Sequence, residues 1–149
     1  MVEIAVARNG DPTARLSGTY LHSSYNPRRE ADRFVAGVSP ARSYVVLGAG
    51  VGHIASALSS RFPEARILSL HPDPALLEEA DKSPGSHACP GSALELRREL
   101  SSALLEEAPD GFGILPWPPT AKASPLWFEN RRRELLAIIR ERHESLITT

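Results

Sequence analysis

Five consecutive residues, Gly48-Ala49-Gly50-Val51-Gly52, have the spacing of a glycine-rich turn that can bind a ligand. In such turns one glycine allows a tight bend after a strand, one lets a ligand approach the backbone, and one lets the next helix pack closely. The free N–H groups at the start of that helix favour phosphate or carboxylate. The turn and the adjacent His53 therefore form a candidate ligand site.

The spacing of the glycines narrows the choice of ligand. His53 stands where a dinucleotide-binding turn has its last glycine, so the pattern is closer to S-adenosylmethionine-dependent methyltransferases than to NAD enzymes. No Lys followed by Ser or Thr comes after the turn, which excludes a P-loop. The cofactor stays open between S-adenosylmethionine and a nucleotide.

Two positions weaken the methyltransferase interpretation. Such enzymes usually have an acidic residue two positions before the first glycine, and Val46 is there instead. They also usually end the second strand with a carboxylate that accepts hydrogen bonds from the ribose, whereas here His71 ends it and Asp73 follows. His71 and Asp73 remain ligand-binding candidates, because ligands bind at the carboxyl ends of parallel strands. The alternative is that the glycines only allow close packing.

Four further residues are possible accessory groups. His22 and Ser23 could bind a polar group and Tyr25 could stack on a ligand, or all three could fix a corner of the chain, since Ser bonds readily to local backbone. Trp117 could line the site or pack against a neighbouring domain. Cys89 is the only cysteine, so no metal site is predicted, and no catalytic residue can be named.

The candidate site requires a strand before the turn and a helix after it. Residues 43–47 and 66–70 are short apolar runs typical of strands buried on both faces, and 54–62 has helical spacing between them. Upstream, Asn9-Gly10 predicts a hairpin over residues 2–17, and Asn26-Pro27 opens a helix. Downstream the patterns predict helices at 74–80, 93–107 and 126–145, a loop at 82–91, a strand at 112–115 and an extended segment at 116–125.

Alternating strands and helices predict an α/β fold, a Rossmann-like three-layer sandwich with a mostly parallel sheet, preceded by a small N-terminal β-hairpin. The hairpin and first helix, residues 1–40, are expected to pack with the Rossmann-like domain, residues 41–149, as one unit. Three central strands are few for such a sheet, so we expect a fragment of a longer protein.

Composition excludes several classes of function. The 149 residues carry a net charge of −1, which does not suit binding to nucleic acid or a membrane surface. The N-terminus lacks the features of a signal peptide, and no apolar run could span a membrane. We therefore expect a cytoplasmic protein.

One segment points to a family. Residues His22-Ser23-Ser24-Tyr25-Asn26-Pro27 and Glu30-Ala31, followed by the strand and glycine turn, resemble the N-terminal part of motility-associated factor (Maf) proteins. Their relatives include enzymes similar to 6-hydroxymethylpterin diphosphokinase. The resemblance implies a bacterial protein connected with flagellin glycosylation, in which a second domain with a Gly-Pro-Ser signature transfers a nonulosonic acid to flagellin Ser or Thr.

No Gly-Pro-Ser occurs in this chain. The resemblance therefore implies a non-catalytic or accessory domain, whose partners would be flagellin, a following catalytic domain or a second copy of itself. An S-adenosylmethionine-dependent methyltransferase and a binder of nucleotide-sugars or pterin phosphates are the alternatives.

Overall fold

The computed structural model describes residues 1–104 and 111–148. They form a four-stranded parallel sheet between two helical layers, with a small antiparallel sheet at the N-terminus. The predicted α/β, Rossmann-like class is thus confirmed. The strands are β1 (Val2–Val6), β2 (Pro12–Leu16), β3 (Thr19–Tyr20), β4 (Ser43–Leu47), β5 (Arg66–Leu70), β6 (Ser86–Ala88) and β7 (Phe112–Pro116). The helices are α1 (Pro27–Ala36), α2 (His53–Arg61), α3 (Pro74–Ala80), α4 (Ala93–Leu104), α5 (Pro118–Ala123) and α6 (Pro125–Thr148).

The N-terminal sheet has the order β1-β2-β3. The predicted hairpin is present as β1 and β2, and a third strand of two residues was missed. At the turn only Gly10 has a positive φ, +93°, while the Asn9 side chain accepts a hydrogen bond of 3.1 Å from the Asp11 N–H. Asn9 thus stabilises the turn through its side chain, rather than by a left-handed backbone.

The parallel sheet has the order β6-β5-β4-β7, and β4 is buried along its whole length. The prediction of a loop throughout residues 82–91 is wrong for Ser86–Ala88, which forms edge strand β6 on Leu68–Leu70 of β5. This strand has only three residues and lies in a segment rich in Ser, Pro and Gly, so it shows no periodic hydrophobic pattern in the sequence. Pairing with β5 imposes their extended conformation.

Helix α1 begins at the expected capping residue. Asn26 accepts a hydrogen bond from the Arg29 N–H at the start of α1, and Pro27 occupies its first position. The prediction of an extended segment at 116–125 is wrong, because α5 lies there. Its prolines occupy the first turn, where a missing N–H costs no helical hydrogen bond. The predicted end of α4 at residue 107 lies outside the described residues.

Three apolar clusters hold the layers together. Helices α1 and α2 pack on one face of the parallel sheet, and α4 and α6 pack on the other. The third cluster joins Leu16 and Leu21 of the N-terminal segment to Val51 and Leu76. The N-terminal sheet therefore packs beside the glycine turn. None of the described helices is both long and apolar enough to cross a membrane.

Candidate functional site

The glycine turn joins β4 to α2 at the carboxyl end of the sheet. Gly48, Gly50 and Gly52 have φ values of +81°, +69° and +106°, a region that residues with a side chain rarely adopt. The N–H groups of Gly48 and Ala49 both donate to the Leu70 carbonyl, at 2.9 and 3.1 Å. These bonds hold the start of the turn against the end of β5.

Side chains of the same protein cover every glycine of this turn. A Cβ atom on Gly48 would overlap the Thr120 side chain of α5. On Gly50 it would lie 2.7 Å from His22 Cε1 and closer still to Nε2, and on Gly52 it would lie 2.6 Å from Ser83 Oγ. The turn is buried. The space that a binding turn keeps open for a ligand is filled here by the protein itself.

His22 provides the central part of this cover. The Val51 N–H donates a hydrogen bond of 3.0 Å to His22 Nε2, so the imidazole accepts the kind of bond that a ligand phosphate would accept. Its proton must then be on Nδ1, which has no hydrogen-bond partner among the described residues. The nearest carboxylate oxygen, Glu30 Oε1, is 4.0 Å away, too far for a hydrogen bond.

The environment of His22 keeps it neutral. Burial, followed by the neighbouring His53 and His71, lowers its pKa from 6.5 to about 3. An imidazolium has no free lone pair, so protonation would break the bond from Val51. His53 itself donates from Nε2 to the Pro12 carbonyl at 2.7 Å, and its ring meets His22 edge-on at 5.3 Å.

Trp117 lies in the core beside His22 rather than lining an open site. Its Nε1–H donates to the Leu21 carbonyl at 2.6 Å, and its ring centroid is 5.8 Å from His22 and 5.1 Å from Phe34. Among the other accessory candidates, Ser23 Oγ accepts from the N–H groups of Tyr25 and Asn26. Ser23 thus shapes the corner before α1. The Tyr25 ring is exposed and does not cover the buried turn.

His71 lies at the end of β5, as predicted, but it is buried. Its Nε2 is 3.3 Å from His87 Nδ1, and His87 Nε2 lies 3.1 Å from Ser83 Oγ and 3.2 Å from the Ser83 carbonyl. The carbonyl can only accept, so His87 carries its proton on Nε2 and His71 donates to His87. Burial, with a smaller contribution from His87, lowers the pKa of His71 to about 3.

This Ser83–His87–His71 chain is not arranged like a catalytic triad. The Ser83 hydroxyl donates its proton to the Ala80 carbonyl at 2.5 Å, so no histidine receives it. Asp73, one of the ligand-binding candidates, caps α3 by accepting from the Ala75 N–H at 2.9 Å. Within residues 1–104 and 111–148, no group of three His, Cys, Asp or Glu side chains could hold a metal ion.

The predicted residues therefore divide into two groups. His22 contacts both His53 and Trp117 next to the glycine turn, whereas Asp73 caps α3 and the Tyr25 ring is exposed. Sequence reasoning named none of Thr120, Ser83 and His87 as a site candidate. No local signal marks Thr120, because its contact with Gly48 spans 72 residues of sequence.

Replacing Thr120 with Val should lower the free energy of unfolding by about 1–2 kcal/mol, because the buried Gly48 carbonyl loses its hydrogen bond from Thr120 Oγ1 (2.6 Å). Thr120→Ser keeps the hydroxyl group and should recover part of that loss. Urea denaturation of the three proteins would measure the difference. Equal stability of the wild-type protein and the Val variant would contradict a tightly closed turn.

The parallel sheet and its glycine turn define a Rossmann-like α/β domain. No model of a known protein family matches the chain. An uncharacterised protein of Treponema pallidum (strain Nichols) is 36% identical over 75 residues, which cover 47% of this chain and 26% of that protein.

A solved structure is similar to this chain over more of its length. The chain is similar to the Maf glycosyltransferase from Magnetospirillum magneticum AMB-1, with a TM-score of 0.60 and 15% identity, over 95% of this chain and 30% of that one. At this identity the likeness shows the fold and a distant structural relationship. The chain spans less than a third of either of these proteins.

Proposed function

We propose that the chain is a non-catalytic, accessory Rossmann-like domain of a Maf-type protein linked to flagellin glycosylation. The observation that carries the proposal is the closed glycine turn, in which His22, Thr120 and Ser83 cover the three glycines. The likeness to a Maf glycosyltransferase, which this chain matches over most of its own length, supports the choice of protein class.

A ligand at this turn would have to displace well-bonded groups. Moving His22 would remove the acceptor of the buried Val51 N–H and open the contact with Trp117. Unless the ligand itself accepted a hydrogen bond from that N–H, the unpaired buried group would cost about 1–3 kcal/mol. We expect such a domain to act by packing against other domains or proteins rather than by binding a small ligand. Its proposed partners are a catalytic domain of the same protein and flagellin.

The test is a thermal-shift and calorimetric panel on the chain. S-adenosylmethionine, S-adenosylhomocysteine, nucleotides, a nucleotide-activated nonulosonic acid and a pterin phosphate would each be added at about 1 mM, because a bound ligand stabilises the folded state by mass action. We expect no shift in melting temperature and no heat of binding. A methyltransferase of known affinity, tested in parallel, shows that the panel detects binding.

Each positive result has a defined meaning. Binding of S-adenosylmethionine would replace the proposal with a methyltransferase-like protein, and binding of a nucleotide-sugar or pterin phosphate would replace it with a ligand-binding domain. Transfer of the activated sugar to flagellin by this chain alone would overturn its non-catalytic character.

A further inference from the structure

The four outer strands of the two sheets differ in how they are protected against pairing. Natural proteins protect sheet edges with short strands, proline or charge. β3 has two residues and β6 has three, while β7 ends in Pro116. Because the Trp117 N–H bonds to Leu47 of β4, Pro116 faces the free side of β7 and removes a donor there. β1 has five residues and no proline, and its single charged side chain, Glu3, is paired with Arg15 of the neighbouring strand β2.

β1 also exposes apolar side chains. Ile4 is 47% exposed and Val6 is 74% exposed, and both lie on the face that bears the buried Ala14 of β2. On that face, Ile4 and Val6 lie beside the residues of β2 that belong to the third apolar cluster. Within the described part of the chain nothing covers these two side chains, so the apolar face extends beyond the core.

The backbone of β1 directs a complete set of polar groups outward. The bonds from Ala7 N–H to the Asp11 carbonyl and from Ser17 N–H to the Met1 carbonyl show that odd-numbered residues pair with β2. In an antiparallel ladder the alternate residues point the other way. Val2, Ile4 and Val6 therefore present three N–H groups and three carbonyl groups at the free edge.

The sequence Val2-Glu3-Ile4-Ala5-Val6 is complementary to itself. Placed antiparallel about a two-fold axis at Ile4, the strand pairs Ile4 with Ile4 and Val2 with Val6 of the other copy. Glu3 then faces Ala5, so the two carboxylates do not oppose each other. All the outward N–H and carbonyl groups of both copies would be paired, giving six hydrogen bonds.

From these observations we propose that β1 is a self-association edge, through which two copies of the chain join their N-terminal sheets into one six-stranded antiparallel sheet. A second copy is the favoured occupant because pairing satisfies every outward polar group and places apolar side chains opposite each other. The inference does not depend on the proposed function, since it uses only β1 and its neighbours.

Sedimentation of the full chain at about 1–100 µM tests the proposal, in the range expected for a small interface. We expect a concentration-dependent dimer of the 16.2 kDa chain. Val6→Lys should raise the dimer dissociation constant at least about tenfold, because a charge enters the apolar pair. Leu126→Lys is the matched control, since Leu126 is an equally exposed apolar residue, at 76%, on α6. A chain that stays monomeric throughout would overturn the proposal, as would equal effects of the two variants.

Cysteine crosslinking tests the register in a Cys89→Ser background. Two copies of Ile4→Cys would face each other with Cα atoms about 5.5 Å apart, which suits a disulfide. In Val6→Cys the two cysteines would be about 14 Å apart, four residues out of register. We expect oxidation to crosslink the first variant and not the second. Efficient crosslinking of Val6→Cys, or none with Ile4→Cys, would contradict the proposed pairing.

Discussion

Gly50→Ala is expected to lower the free energy of unfolding by at least about 3 kcal/mol. The backbone of Gly50 has a φ of +69°, which strains any residue that has a Cβ atom. The new methyl group would also overlap His22 Nε2. If His22 moves away to avoid that overlap, the buried Val51 N–H loses its acceptor.

Gly10→Ala is the matched control. Gly10 has a φ of +93°, but a Cβ atom there would meet nothing within 4 Å. Its substitution should therefore cost only the backbone strain, about 1–2 kcal/mol. Urea denaturation of both variants would measure the loss of unfolding free energy in each, and the difference between them is the contribution of the overlap with His22. Equal losses in the two variants would show that His22 gives way freely and that the turn is not tightly filled.

The second large expected effect is a loss of stability as the pH falls. The folded-state pKa values of His22 and His71 are both lowered from 6.5 to about 3, chiefly by burial. Above pH 6.5 the imidazoles are neutral in both states and stability is complete. Below that pH the unfolded chain takes up two protons that the folded chain does not. Stability should therefore fall by about 4 kcal/mol between about pH 7 and pH 5.

Chemical denaturation across this pH range would measure the effect. His71→Asn removes one of the two titrating groups and should about halve the slope of stability against pH. Leu68→Ala, at a fully buried position without a titratable group, should destabilise the protein and leave the slope unchanged. A wild-type slope below that of a single proton would show that the two histidines become protonated within the folded protein.

The sequence predicted the central part of the fold because that part is local and strongly patterned. The apolar runs of β4 and β5 and the cap of α1 are visible without any knowledge of tertiary structure. β6 and α5 were missed for physical reasons. β6 is extended because it pairs with β5, which lies 16 or more residues earlier in the chain. Prolines are compatible both with an extended segment and with the first turn of a helix, so those of α5 did not distinguish the two.

The candidate site was predictable in part. The positive-φ glycines and the position of His71 at the end of β5 follow from motif and topology. What the turn contacts does not follow, because Thr120 and His22 reach it from segments 72 and 29 residues distant in sequence. A glycine pattern is the same whether a ligand or a side chain occupies the space beside it.

The closed turn also limits how such a domain can change during evolution. Its three covers come from three separate segments, one after β3, one before β6 and one in α5. Losing a single cover by mutation would leave the other two in place and would unpair a buried backbone group, the Val51 N–H for His22 or the Gly48 carbonyl for Thr120. Opening space beside all three glycines would therefore require coordinated changes in three segments that are distant in sequence.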